Sequence, residues 1–83
     1  MSLIKVYGTD WCEDTERSRA QLDELELKYD YINIEKHPAA QAWVKEQNGG
    51  KQKTPTISVN GRIVIEPSNE QLEKVLRESG LPG

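Results

Sequence analysis

One cysteine, Cys12, lies between Trp11 and Glu13-Asp14-Thr15, where the apolar run Leu3-Ile4-Lys5-Val6-Tyr7 gives way to a segment with helical periodicity. A thiol can do covalent chemistry, and its position along the chain decides whether it does. At a helix N-terminus, unpaired backbone N–H groups and the macrodipole favour an anion, and so favour thiolate over thiol. This placement makes Cys12 a candidate nucleophile, whereas most free cysteines are small buried hydrophobes. The electrostatics pull both ways. The dipole offers an anion about 0.3–1 kcal/mol when exposed and up to ~2 kcal/mol when partly buried. Asp10, Glu13, Asp14 and Glu16 oppose it, each at on the order of 0.6 kcal/mol for about 7 Å in high dielectric. Arg17 and Arg19 offset part of that. The net sign is open at the level of sequence.

Thr54-Pro55-Thr56 is the second segment with chemical potential. A proline tolerates the first position of a strand, and X-Pro bonds are where cis peptides occur in tight turns. In the cis form the backbone of Thr54 would be open to an extended thiol-bearing peptide. The plain alternative is a strand-start proline.

The elements that must bring these segments together alternate strand and helix. Leu3–Tyr7 reads as a strand, Gly8-Thr9-Asp10 as a turn, and the helix beginning near Cys12 places Thr15, Ser18, Leu22 and Leu25 on one inward face. Tyr29–Ile34 reads as a second strand, parallel to the first through a right-handed crossover. His37-Pro38 opens the next helix, with His37 capping its start. Ala40, Trp43, Val44 and Gln47 mark its inner side, Trp43 as core, and Asn48-Gly49-Gly50 ends it. Thr56–Val59 and Arg62–Ile65 form a hairpin through Asn60-Gly61, a pair that tolerates positive φ. Ser68 with Gln71 is a capping box, followed by Leu72, Val75 and Leu76 and stopped at Gly80. The order βαβαββα gives an α/β fold, a mixed four-stranded sheet flanked by helices.

With 83 residues, the chain is expected to form one domain over 1–83. Hydrophobic content of 35% with 30% charged residues fits a soluble globular protein. No apolar run approaches the ~20 residues of a membrane span, so no membrane partner is expected. Nothing resembles a signal peptide, and the expected location is cytoplasmic. A net charge of −3, with Lys51 and Lys53 as the only tight basic cluster, argues against nucleic acid. A single cysteine forms no internal disulfide, and His37 by itself builds no metal site.

Tyr7-Gly8-Thr9-Asp10-Trp11-Cys12, Asn48-Gly49-Gly50 with Thr54-Pro55-Thr56, and Pro67-Ser68 together resemble a glutaredoxin of the thioredoxin-fold superfamily, most similar to its mycoredoxin-type branch. The likeness spans almost the whole chain. It implies that Cys12 is the catalytic nucleophile, that Pro55 is the cis-proline facing it, and that the backbone of Thr54 pairs with the bound thiol. Thr9, Trp11, Lys53, Ser68 and Asn69 then join Thr54 and Pro55 in binding substrate. Ser68 and Asn69 would hold a carboxylate at a helix start, and Lys53 a second one. The implied co-substrate is a low-molecular-weight thiol, glutathione or mycothiol, and the implied partner a disulfide-containing protein or small molecule. No metal is expected, and a monomer is.

Three departures shape that expectation. The family's second cysteine, three residues after the first, is Thr15 here, which leaves a monothiol route. The cation that many members carry three residues before the nucleophile is Thr9. The Gly-Gly pair that commonly precedes the last helix is Glu66-Pro67, which adds negative charge where an anionic thiol would dock. Two rival readings follow: a redox-inactive binding module on the same fold, and a carrier that bridges an iron–sulfur cluster between subunits. The bulky anionic pair Glu13-Asp14 disfavours the second.

Overall fold

The computed structural model describes residues 2–83. Strand β1 (Ile4–Gly8) follows its alternation: Ile4, Val6 and Gly8 are buried on one face, while Lys5 and Tyr7 are half-buried on the other. The strand lies one residue later than expected. Gly8 still pairs with Asn33, whereas Leu3 stays 58% exposed ahead of the ladder.

Helix α1 (Glu13–Glu24) buries Thr15, Ser18 and Leu22, the face anticipated from their spacing. Its end was not legible. Glu26 takes φ 57° in place of a glycine, and the N–H groups of Glu26 and Leu27 donate to Asp23 O and Leu22 O, a Schellman closure. Strand β2 (Asp30–Asn33) is shorter than the expected Tyr29–Ile34. Asn33 Oδ1 accepts from Glu35 N at 3.0 Å and turns Ile34–Lys36 into a short 3₁₀ segment, so Ile34 is buried outside the strand.

Helix α2 (Pro38–Gln47) has Pro in its first turn; His37 occupies the N-cap position, but its side chain makes no capping bond. Strands β3 (Thr56–Val59) and β4 (Arg62–Ile65) have the expected bounds, and Asn60 and Gly61 take φ 50° and 87° in the turn between them. Helix α3 (Asn69–Glu78) starts from a complete capping box: Ser68 Oγ accepts from Gln71 N, and Gln71 Oε1 accepts from Ser68 N.

The sheet order is β2-β1-β3-β4, with β1 parallel to β2 and antiparallel to β3, and β4 antiparallel to β3. Register sets one row across all four strands, Tyr31, Val6, Ile57 and Val64, facing α1 and α3. There Ile4, Val6, Leu22, Ile57, Val59, Leu72, Val75 and Leu76 form the main core. Each such fully buried aliphatic side chain contributes about 1.5–3 kcal/mol. Among the described residues, Ile34 and Val44 are the fully buried hydrophobics that lie outside that cluster, on the other face. Trp43 therefore does not join the core: with α2 alone on this face it is half-buried and packs its ring on Tyr7, centroids 4.6 Å apart.

Candidate active site

The C-terminal end of β1 delivers the chain to Cys12. Gly8 is buried directly beneath the first turn of α1, and a Cβ there would overlap Thr15 Cγ2 and stand 2.6 Å from Thr15 Oγ1. A side chain at position 8 would thus lift the helix start off the sheet. Cys12 then takes the extended N-cap conformation, φ −83° and ψ 119°, its N–H donating to Thr9 O at 3.4 Å and its carbonyl accepting the first helical bond from Glu16 N at 3.0 Å. The sequence alone places the sulfur at a helix start. The fold adds a partner 42 residues away: Thr54 Oγ1 donates to Cys12 Sγ at 3.3 Å, and the thiol donates to Thr54 O at 3.6 Å.

The thiol pKa is lowered from its ordinary value of 9.0. Burial is the largest single influence and acts upward, but the donors together outweigh it: the hydroxyls of Thr15 and Thr54, then the backbone N–H groups of Thr15 and Asp14. Thr54 is the firmest of these, with a hydrogen bond of 3.3 Å. Among the described residues Thr15 Oγ1 meets no hydrogen-bond partner, and the Cys12 side chain makes no capping bond to the helix. The acids that oppose ionisation are in part engaged elsewhere. Asp14 pairs with Arg17 at 3.2 Å, and Asp10 Oδ1 accepts from Tyr31 Oη at 2.7 Å.

The loop before Cys12 is held from outside by two side chains that sequence reasoning did not single out. Tyr31 fixes Asp10, and the Arg19 guanidinium lies 3.8 Å over the Tyr31 ring. Burial, the hydrogen bond to Asp10 and the charge of Asp10 push the Tyr31 phenol up to about 12. Glu35, carried by the 3₁₀ segment, accepts from Trp11 Nε1 at 3.1 Å and fixes an indole that is 70% exposed. Tyr31 was signalled only as a strand residue, and Glu35 by nothing.

Cys12, Thr54 and Pro55 meet as expected, and the Thr54–Pro55 bond is cis. Trp11 stands exposed beside them. Thr9 needs correction as a substrate contact: its side chain is 1% exposed and its hydroxyl unpartnered, so it lies behind the loop while only its carbonyl serves Cys12. Lys53 is exposed, and its carbonyl accepts from Thr56 Oγ1 at 2.9 Å. Glu66 N donates to Pro55 O at 2.8 Å, which sets the entry to α3 beside the proline loop. Ser68 and Asn69 make no hydrogen bond to Cys12 among the described residues. The N–H and Oγ of Ser68 serve the capping box, and Asn69 O accepts from Gln21 Nε2 at 2.8 Å, tying α3 to α1. The N–H groups of Asn69 and Glu70, which an α-helix leaves unpaired, are the donors available to an anion there. Cys12 itself is half-buried. A half-exposed sulfur with a lowered pKa, flanked by donors and a backbone carbonyl, can attack a disulfide that reaches it from solvent.

Comparison with known proteins agrees with this geometry. The family model described as Glutaredoxin matches residues 4–64. A Mycobacterium tuberculosis protein named as a glutaredoxin is 30% identical over 74 residues, covering 88% of each chain. Mycoredoxin 1 of Corynebacterium glutamicum is 37% identical over 57 residues, 69% of this chain and 70% of that one. Among solved structures, a glutaredoxin from Archaeoglobus fulgidus superposes with a TM-score of 0.75 at 18% identity, covering 93% of this chain and 88% of the other. A buckwheat glutaredoxin–glutathione complex gives 0.73 at 20% identity, covering 99% and 83%. The fold is thioredoxin-like.

Proposed function

We propose that this chain, which belongs to the glutaredoxin family, is a monothiol thiol–disulfide oxidoreductase that reduces mixed disulfides through Cys12 with a low-molecular-weight thiol as co-substrate. The family and the fold support thiol–disulfide exchange in general. The observation that carries the finer reading is the sulfur at the N-cap of α1, hydrogen-bonded to Thr54 beside Pro55.

In the first step the Cys12 thiolate attacks the sulfur of the small thiol in a mixed disulfide. A bond forms between those two sulfurs, the original disulfide bond breaks, and the client sulfur leaves as a thiolate that takes a proton from solvent. In the second step another molecule of the small thiol, as thiolate, attacks the same small-thiol sulfur. The symmetric small-molecule disulfide departs and Cys12 is restored as thiolate. With one cysteine in the sequence and Thr15 where a resolving thiol would stand, reset comes from outside.

Thr54 would pair with the backbone of the bound thiol, and Trp11 would wall its exposed side. Lys53 and the first-turn N–H groups of Asn69 and Glu70 would receive its carboxylates or hydroxyls. Glutathione and mycothiol are the two candidates. Glu66, beside the proline loop, weighs against the more anionic one, glutathione.

The test is reduction of a glutathione or mycothiol mixed disulfide of a model peptide by the protein and by Cys12→Ser. Turnover by the former only is expected. Equal rates would remove the enzymatic reading and leave a binding module on the same fold.

A further inference from the structure

Strand β4 ends the sheet, with β3 on one side of it and no strand of the described residues on the other. Backbone alternation decides which of its groups are spent. Glu66 N donates to Pro55 O at 2.8 Å, one step beyond the Ile65–Thr56 pair, so Arg62, Val64 and Glu66 turn their N–H and C=O groups toward β3. Ile63 and Ile65 turn theirs outward, a row of donors and acceptors offered to another strand. Nothing within Arg62–Ile65 blunts that edge. It holds no proline, glycine or lysine, and its two isoleucines are 36% and 38% exposed. Helix α3 stands back from it, across a groove of about 310 Å³ lined by Arg62 and Val64 from the strand and by Gln71, Lys74 and Val75 from the helix.

What fits this edge is written in the strand itself. Arg62-Ile63-Val64-Ile65-Glu66 runs from a cation through three apolar residues to an anion, so an antiparallel copy centred on Val64 brings every residue opposite a match. Ile63 meets Ile65 in the hydrogen-bonded pairs, which use every outward N–H and C=O of the two. Arg62 meets Glu66, and Val64 meets Val64, in the non-bonded pairs, where side chains stand closest. Opposite charges that face each other across strands stabilise the pairing. The neighbouring registers fit worse. A slip of two residues one way sets Arg62 against Val64 and Ile65 against Gly61 of the turn; the other way it sets Ile63 against Pro67, which has no N–H to give. Arg62 also pairs with Glu78 at 2.6 Å, but its guanidinium carries donors enough for a second carboxylate.

We propose that β4 is a self-pairing edge, through which two copies of this chain associate antiparallel about a two-fold axis at Val64, in place of the monomer expected from the sequence. The contact is isologous and closes at two copies, because it consumes the same edge of both. Cys12 follows β1, with β3 between that strand and the seam, so the proposal stands apart from the chemistry assigned to the sulfur. A strand of 4 residues makes a small interface and hence a weak dimer, with a Kd of roughly 10–1000 μM.

The experiment is sedimentation velocity from about 10 μM to about 1 mM, in a phosphine reductant so that no Cys12–Cys12 disulfide forms. It compares the intact chain, Arg62→Glu, Glu66→Arg, their double variant and an equimolar mixture of the two single variants. The intact chain is expected to pass from monomer to dimer across that range. Each single variant sets like charges opposite each other at both symmetric places and should weaken association about tenfold or more. The double variant restores both contacts and should dimerise like the intact chain. In the mixture, Arg62→Glu carries acids at both positions and Glu66→Arg bases at both, so the two should form a heterodimer, a result that also shows both variants folded. Amide exchange followed by NMR should slow with concentration at Ile63 and Ile65, whose N–H groups face the seam. An intact chain still monomeric at about 1 mM overturns the proposal. Single variants that dimerise as well as the intact chain overturn it too, as do a mixture and a double variant that associate no better than the single variants.

Discussion

Substituting Gly8 by alanine should strike the candidate site through one contact whose size can be worked out. Gly8 does not lie in the left-handed region, so alanine meets no backbone penalty and the change tests packing alone. The added Cβ would overlap Thr15 Cγ2, lie 2.6 Å from Thr15 Oγ1 and 3.1 Å from Thr15 Cβ. Ordinary contact begins near 3.4 Å, so the first turn of α1 must retreat by close to an ångström. Thr15 is β-branched and buried and cannot rotate out of the way, so overpacking of this kind costs about 1–3 kcal/mol. For a chain of this size that is a fall in Tm of roughly 5–20 °C. The assay is a double-mutant cycle by urea denaturation on the wild type, Gly8→Ala, Thr15→Ala and the double variant. Thr15→Ala removes both overlapping atoms, so the cost of Gly8→Ala should shrink by about 1 kcal/mol or more in its presence. Costs that add to within about 0.3 kcal/mol would refute the contact as the reason for glycine at this position.

Other perturbations separate the remaining interactions. Because the Cys12 pKa is lowered in the fold, the stability its ionisation contributes is whole above the ordinary value of 9.0 and lost as pH falls through the lowered one. Urea denaturation against pH should therefore show the wild type losing ground to Cys12→Ser on acidification, and parallel curves would contradict the shift. Tyr31 behaves oppositely: its neutral form is favoured, so its contribution is whole below 10.0 and lost as pH rises toward about 12. Tyrosinate absorbance should accordingly show a high-pH titration that Tyr31→Phe abolishes. Ser68→Ala removes one bond of the capping box and leaves Gln71 N unpaired, which should cost about 1 kcal/mol in chemical denaturation. Glu66 adopts φ 47°, so Glu66→Gly should hold or raise Tm while removing a negative charge beside the proline loop. A higher rate with glutathione mixed disulfides is the kinetic counterpart, and an unchanged rate would show that Glu66 lies too far from the bound thiol to matter.

What the sequence determined here is local. The Asn60-Gly61 turn, the Ser68–Gln71 capping box, the inward face Thr15-Ser18-Leu22 and the seat of Cys12 at a helix start all depend on residues within a turn of one another. Their energetics are complete once φ, ψ and side-chain type are fixed, so they can be read from adjacent letters. The resemblance to glutaredoxins supplied the pairing of Cys12 with Thr54-Pro55, which no local rule reaches. Tertiary structure decided the rest. It buried Thr9 behind the loop, left Trp43 against Tyr7 on the thinly covered face, anchored Asp10 and Trp11 through Tyr31 and Glu35, and engaged Asp14 and Asp10 with Arg17 and Tyr31. Above all it settled the direction of the thiol's shift, which the counted charges left open. A pKa depends on burial and on donors a few ångströms away, and only closure of the sheet, by seating β3 beside β1, brings a hydroxyl 42 residues distant to the sulfur.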